Sequence, residues 1–267
     1  MAHGDVYTHG HQESVLRSHR WRTTENSAAY LLDDLLPGTT VLDVGCGPGT
    51  ITHDFADRVA PGHVTGVDNA AGIVEQAAAD SPANATFQVA DVYALPFADG
   101  SFDVVHAHQV LQHLTDPVAA LREMRRVCRP GGIVAARDAD YAAMTWYPEL
   151  PALTDWLDLY HRVARGNDAE PDAGRRLLGW ARDAGFDGFG DVDATATAWC
   201  FATPAEREWW GGLWADRVLD SAFAEQALNR GLATRAELER LSGAWREWTH
   251  SDSAWFAVLN GEVRCRR

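Results

Sequence analysis

Apolar positions near the start of the chain recur with a helical period. From Thr24 to Leu36, the residues Ala28, Leu31, Leu32, Leu35 and Leu36 fall at i, i+3, i+4, i+7 and i+8, which is one face of a helix. Thr23 or Thr24 can cap that helix, and Pro37-Gly38 ends it. Short apolar runs then alternate with helical stretches. The runs at 39–44, 63–68, 85–90, 102–107 and 133–138 predict strands. Residues 50–59 and 70–79 predict helices between them, and Asp116-Pro117 opens another with a capping side chain and a first-turn proline. Strands separated by helices give parallel pairs with crossovers, so the pattern predicts an α/β fold with a doubly wound sheet.

Beyond residue 140 the pattern coarsens. Residues 172–184 read as a helix, 187–201 as strand-like, 204–249 as mostly helical and 253–265 as a closing strand. The stretches 141–168 and 204–249 are longer than connections need and are read as helical insertions over the ligand edge of the sheet. Trp21 is the sole tryptophan of the first 145 residues, and the other ten lie between Trp146 and Trp255. Core packing of a helical cap accounts for most of them, because large aromatics dominate cores. An aromatic acceptor pocket, suited to a planar or cationic molecule, is the sharper alternative.

Charge and cysteines then narrow the function. In 267 residues, Lys and Arg number 23 and Asp and Glu 38, a formal charge of −15. Such a surface repels phosphate backbones and anionic lipid, so no general nucleic-acid binder is expected. No apolar run reaches 18 residues, so no transmembrane helix is expected, and the N-terminal stretch lacks an apolar signal core. Cys46, Cys128, Cys200 and Cys265 lie far apart with no C-x-x-C pair. They suggest neither a zinc site nor a disulfide framework, and the expectation is a cytoplasmic protein without a bound metal.

The chemistry sits at strand ends. The strand VLDV runs into Gly45-Cys46-Gly47-Pro48-Gly49-Thr50 and then a helix. Open α/β sheets bind ligands at the carboxyl ends of their strands, and glycines there let backbone N–H groups approach closely. The spacing is G-x-G-x-G, with Thr50 in the slot of the third glycine of a dinucleotide fingerprint. A glycine loop alone can be no more than a tight turn. Asp68 ends the second strand, where an acid can grip two ribose hydroxyls, and Asp91-Val92 ends the third, where a carboxylate and an N–H can meet an adenine. Each acid alone could be a helix cap, but three ligand-facing signals at consecutive strand ends are hard to attribute to chance.

These segments together resemble a family. VLDVGCGPGT, VTGVD, ADVYALPFADGSFDVV, HQVLQHL and RVCRPGGIVAARD match the ordered motifs of class I S-adenosylmethionine-dependent methyltransferases, within the subgroup named for ubiquinone/menaquinone-biosynthesis methyltransferases. The resemblance covers residues 39–138. It implies a Rossmann-like, seven-stranded, mostly parallel sheet whose last strand, here 253–265, is antiparallel and enters between the fifth and sixth. It implies S-adenosylmethionine as cofactor, with Asp43 orienting the first loop and Gly45, Gly47 and Gly49 beside the methionyl part. It further implies Asp68 on the ribose with Asn69 flanking, Asp91 and Val92 on adenine, and His108 and Gln109 bordering the transferring methyl. Residues 1–22 are expected to form an N-terminal arm or lid, and 23–267 the methyltransferase domain.

The acceptor is less legible. Methyl transfer from an activated sulfonium needs alignment above all, and a base only for a poorly acidic acceptor. HQVLQHL stands where amino-methylating DNA enzymes carry Asn-Pro-Pro-Tyr or Asp-Pro-Pro-Tyr, and no Pro-Cys pair serves cytosine chemistry. A small-molecule acceptor methylated on O, N or C is expected, a secondary metabolite among the candidates. The alternatives are methylation of a peptide or protein group, or a cofactor-binding protein without turnover. Thr50 and Asp91-Val92 speak against a nicotinamide oxidoreductase. Imidazole titrates near working pH, so His113, after the fourth strand, and His11, in the arm, are the candidate catalytic residues. His106 and His108 alternate on one strand and fit a core role as well as a catalytic one. Asp138, Asp140 and Tyr141 follow the fifth strand and could touch the acceptor or cap the next helix.

Overall fold

The computed structural model describes residues 5–10, 12–188 and 190–267. Two short helices, α1 (Glu13–Arg20) and α2 (Thr24–Ser27), precede the sheet. Then β1 (Val41–Val44), α3 (Thr50–Val59), β2 (Val64–Asp68), α4 (Ala71–Ala79), β3 (Ala85–Val89), β4 (Phe102–His108), α5 (Pro117–Val127) and β5 (Cys128–Ala139) follow the alternation read from the pattern. The second half holds β6 (Thr145–Tyr147), α6 (Pro151–Arg165), α7 (Leu177–Asp183), β7 (Val192–Phe201), α8 (Pro204–Arg217), α9 (Ala222–Asn229), α10 (Arg235–His250) and β8 (Trp255–Arg266).

The sheet order is β3-β2-β1-β4-β5-β8, with β6 and β7 both paired to β8. The first five strands are parallel, and β8 runs antiparallel to β5, with Ala135 opposite Arg264. All four residues of β1 are buried, as a strand covered on both faces requires. One face packs Ile51, Phe55 and Val59 of α3 on Val41, Val104 and Ile133. The other packs Leu121 and Met124 of α5, with Leu177 of α7, on Leu42, Val105 and Val134. The winding reverses between β1 and β4, so a crevice opens at their carboxyl ends.

Two expectations are corrected. The sheet has eight strands rather than seven. The extra one is β6, three residues with no apolar alternation to betray it. The single helix read over 24–36 is broken into α2 and a 3₁₀ stretch, Ala29–Asp34. The indole of Trp199 donates to the Asn26 carbonyl at 2.6 Å, the acceptor a continuous helix would give to the amide of Tyr30. The Asn26 side chain meanwhile closes a capping box with Thr23. The buried face survives in Ala28, Leu31 and Leu35, but Leu36 is left exposed.

Helices α6, α8, α9 and α10 build a second core above the sheet. Trp156, Trp214, Trp245 and Trp248 are fully buried there, packed on Phe256 of β8 or on one another. The packing role expected for the tryptophans therefore holds for these four. Helix α1 belongs to this body: Val15 and Leu16 are buried, and Arg17 pairs with Asp216 of α8. Trp21 sits on Trp199, Phe201 and Trp209. Ahead of α1, Thr8 and His9 are buried, and the amide of Ala222 bonds the His9 carbonyl.

Candidate active site

A cavity of about 350 Å³ lies at the carboxyl ends of β1, β2 and β4, within the size range of small-ligand sites. Its floor is the glycine loop. Gly45 and Gly47 have φ of 67° and 55°, the left-handed region that favours glycine. A Cβ on Gly45 would collide with the Val110 side chain. The amides of Gly45 and Cys46 bond the Val67 carbonyl at 2.7 and 3.0 Å, tying the loop to β2. Gly49 has another task. It lies outside the cavity lining, starts α3 with φ of 84°, and leaves room for Ala77 and Phe87, which a Cβ would meet at 3.1 Å.

The acids arrive as the strands deliver them. Asp43 lines the cavity and is held from behind. Its carboxylate accepts from the Thr52 hydroxyl at 2.5 Å and lies 2.9 Å from Nδ1 of the fully buried His106. His106 thus serves the core. Asp68 at the end of β2 accepts from the Gly47 amide at 3.1 Å and the Ala70 amide at 3.0 Å. Asn69, Asp91 and Val92 line the same cavity, and Asp91 also accepts from the Tyr93 amide.

His108 and Gln109 close the wall at the end of β4. His108 is buried, neither ring nitrogen has a protein partner, and burial followed by the Arg22 and Arg137 charges holds its pKa well below the ordinary value. Gln109 has a φ of 53°, strained for a non-glycine residue. Its amide bonds the Arg137 carbonyl, and its side-chain oxygen accepts from Arg22 at 2.5 Å.

A second chamber, about 30 Å³, lies between this wall and the helical cap. Tyr7, His19, Arg22, Gln109 and His113 line both spaces. Trp199, Trp209, Trp210, Trp214 and Tyr141 supply its aromatic walls. Tyr141 and Tyr160 each place a hydroxyl near Nε2 of His9, at 3.3 and 3.0 Å. His113 stands on the 3₁₀ turn Leu111–His113, with Nε2 2.9 Å from the Gln112 side-chain amide and Nδ1 buried without a partner. Burial, with Arg22 nearby, pushes its pKa down to about 3. His11 lies outside the described residues.

Asp138 is buried beneath this turn, accepts from the Gln112 amide at 3.1 Å, and is pushed up to about 7 by burial. Asp140 is spent on structure: it caps the next turn and pairs with Arg175. Sequence reasoning missed Arg22, Arg217 and Gln112, since isolated arginines and a glutamine in helical surroundings carry no spacing signal. Among the described residues, no group of three or more His, Cys, Asp or Glu is placed to hold a metal ion, and no helix is long and apolar enough to cross a membrane.

Comparison with known proteins agrees with this geometry. A family model described as "Methyltransferase domain" matches residues 35–185. An uncharacterized methyltransferase of Schizosaccharomyces pombe is 34% identical over 267 residues, covering 96% of this chain and 95% of its own. The 2-methyl-6-phytyl-1,4-hydroquinone methyltransferase of Synechocystis is 32% identical over 189 residues, 68% of this chain and 56% of its own. Among solved structures, a Haemonchus contortus phosphoethanolamine N-methyltransferase in complex with S-adenosylhomocysteine shares the fold, with a TM-score of 0.54 and 19% identity, over 86% of this chain and 49% of that one. The strand-end acids, the glycine loop and these matches converge: the chain belongs to the methyltransferase-domain family and is a class I S-adenosylmethionine-dependent methyltransferase.

Proposed function

We propose that this enzyme methylates O, N or C of a small molecule seated in the inner chamber, with the cofactor in the larger cavity. One observation carries the reading. The two spaces share a wall made of Tyr7, His19, Arg22, Gln109 and His113, so a methyl group and an acceptor can meet there. The larger cavity fits the cofactor in its chemistry. Asp91 and Val92 suit adenine, Asp68 with Asn69 the ribose, and the Gly45–Gly47 backbone the methionyl chain. Arg22, whose Nε is buried without a partner, suits the cofactor's carboxylate. The cofactor supplies an electrophilic methyl on a sulfonium. The chain supplies a dry, fixed approach for the acceptor, which is where most of the rate comes from in such a displacement.

The acceptor class is tested with labelled S-adenosylmethionine and fractionated cell extract. Methyl label is expected in the low-mass fraction. Label in the protein fraction supports a peptide or protein acceptor, and cofactor binding with no labelled product supports loss of turnover.

The lowered pKa of His113 changes its expected role. An imidazole held near 3 is neutral at working pH and a weak base. Nε2 accepts from the Gln112 amide, so the unpaired Nδ1 carries the proton and can donate a hydrogen bond to the acceptor and orient it. His113→Ala is expected to lower kcat by about tenfold, the worth of one such bond, with cofactor affinity unchanged. The pH–rate profiles of both proteins should run parallel from pH 5 to 8. Loss of an ionisation limb near 6.5 in the variant would restore His113 as the base.

The lid role narrows to the segment before α1, because α1 and Trp21 are packed into the body. Tyr7 and His9 line the inner chamber and separate it from α9. Removing residues 1–10 is expected to leave the fold intact, weaken cofactor binding and slow turnover, because such a segment excludes water from the site. Unchanged activity in the shortened protein would remove this role.

A further inference from the structure

The inner chamber carries charge that the protein itself does not balance. Arg217, near the end of α8, is 4% exposed and borders the chamber. Its Nη2 donates to the Ser14 carbonyl at 3.1 Å and the Ser18 hydroxyl at 2.9 Å, both neutral groups. Its Nε is buried with no partner. The nearest carboxylate in sequence, Asp216, is taken by Arg17 and Arg246 instead. The guanidinium lies 4.7 Å from the Trp214 ring, and the described lining of the chamber includes no Asp or Glu. Removing a charge from water costs several kcal/mol unless an opposite charge meets it. A second guanidinium, Arg22, also lines the chamber but faces the cofactor cavity as well, where a carboxylate can satisfy it. Arg217 has no such partner on that side, because it lines the inner chamber and not the larger cavity.

We propose that Arg217 is the acceptor's anchor, and that the acceptor is a small planar acid whose carboxylate or phenolate meets this guanidinium while its ring lies among the tryptophans. This rests on the reading of the inner chamber as the acceptor site. An aromatic box can also hold a cation, but two guanidiniums and no carboxylate make this one hostile to an amine. The overall charge of −15 is a surface property and does not reach this interior. A chamber of about 30 Å³ has space for one or two waters at most, so the acid enters with withdrawal of Tyr7 and His9.

The test is calorimetry on the full chain loaded with S-adenosylhomocysteine. The probes are salicylate, 4-nitrophenolate, neutral salicylamide and cationic tyramine. One or both acids should bind at least tenfold more tightly than salicylamide, with tyramine weakest, the scale of a charge-assisted hydrogen bond. Salicylate alone would mark a carboxylate, and 4-nitrophenolate alone a phenolate. Arg217→Met should abolish the preference and leave S-adenosylhomocysteine affinity unchanged. Arg217→Gln keeps a donor for Ser18 and serves if the methionine protein unfolds, and it should abolish the preference too. Equal binding of acid and amide beside the cofactor product, a preference for tyramine, silence of all four probes, or a preference surviving in both variants would overturn the assignment. An acid that competes with S-adenosylhomocysteine instead of binding beside it would bring down the acceptor-site reading itself.

Discussion

Replacing Asp68 with alanine is expected to weaken S-adenosylhomocysteine binding by about 2–3 kcal/mol, roughly 30- to 150-fold. The carboxylate stands at the end of β2 and lines the cofactor cavity. Its two oxygens already accept from Gly47 and Ala70, so it holds the glycine loop against the start of α4 before any ligand arrives. A diol that donates to it gains a charged acceptor fixed in place, without the cost of ordering a loose side chain. Alanine removes the acceptor and also frees the loop, so part of the loss should appear in the free protein as a lower melting temperature. Asp68→Asn separates the two effects. Its side-chain oxygen can keep one backbone bond without the charge, and about half of the affinity loss is expected. Calorimetry on the three proteins measures this, and unchanged affinity in the alanine variant would remove Asp68 from the site.

What the sequence could reveal depended on whether a residue's role was local. The segment from β1 through the glycine loop into α3 was legible because strand period, glycine spacing and helix period meet within twenty residues. Gly49 shows the limit. It repeats the spacing of Gly45 and Gly47, yet it serves contact with Ala77 and Phe87, and a glycine needed for packing reads like one needed for ligand approach. The break after α2 is illegible for a different reason: it is made by the Trp199 indole, 173 residues away. Arg217 reads as an ordinary arginine in the last turn of a helix. Only the folding of α8 over the end of the sheet shows that it faces inward, against Ser14 and Ser18 of α1. The tryptophans were legible as a group and ambiguous singly, since Trp214 is at once core and chamber wall.

The same buried charges predict an early loss of stability in acid. His9, His108 and His113 are all held below the ordinary histidine pKa, each by burial first and by neighbouring arginines second. Above pH 6.5 they are neutral in the folded and the unfolded chain and contribute no pH dependence. As the pH falls through 6.5, the unfolded chain takes up three protons that the folded chain refuses, so unfolding gains. Asp138 acts in the opposite sense. Pushed up to about 7, it keeps a proton in the fold that the unfolded chain releases until pH falls toward 4. These four groups leave two protons in favour of the unfolded chain, a slope of about 2.7 kcal/mol per pH unit at its steepest. Between pH 6.5 and roughly 4 the loss would reach about 6 kcal/mol, enough to unfold a protein at the lower end of the ordinary range of about 5–15 kcal/mol, before most carboxylates titrate. Urea unfolding at half-unit steps from pH 7.5 to 4.5 measures the slope. His113→Gln should flatten it by about 1.4 kcal/mol per pH unit, the share of one histidine. Stability that stays level between pH 6.5 and 5 would mean that the three imidazoles accept protons inside the fold, and that the positive, dry interior argued for the acceptor chamber is open to water.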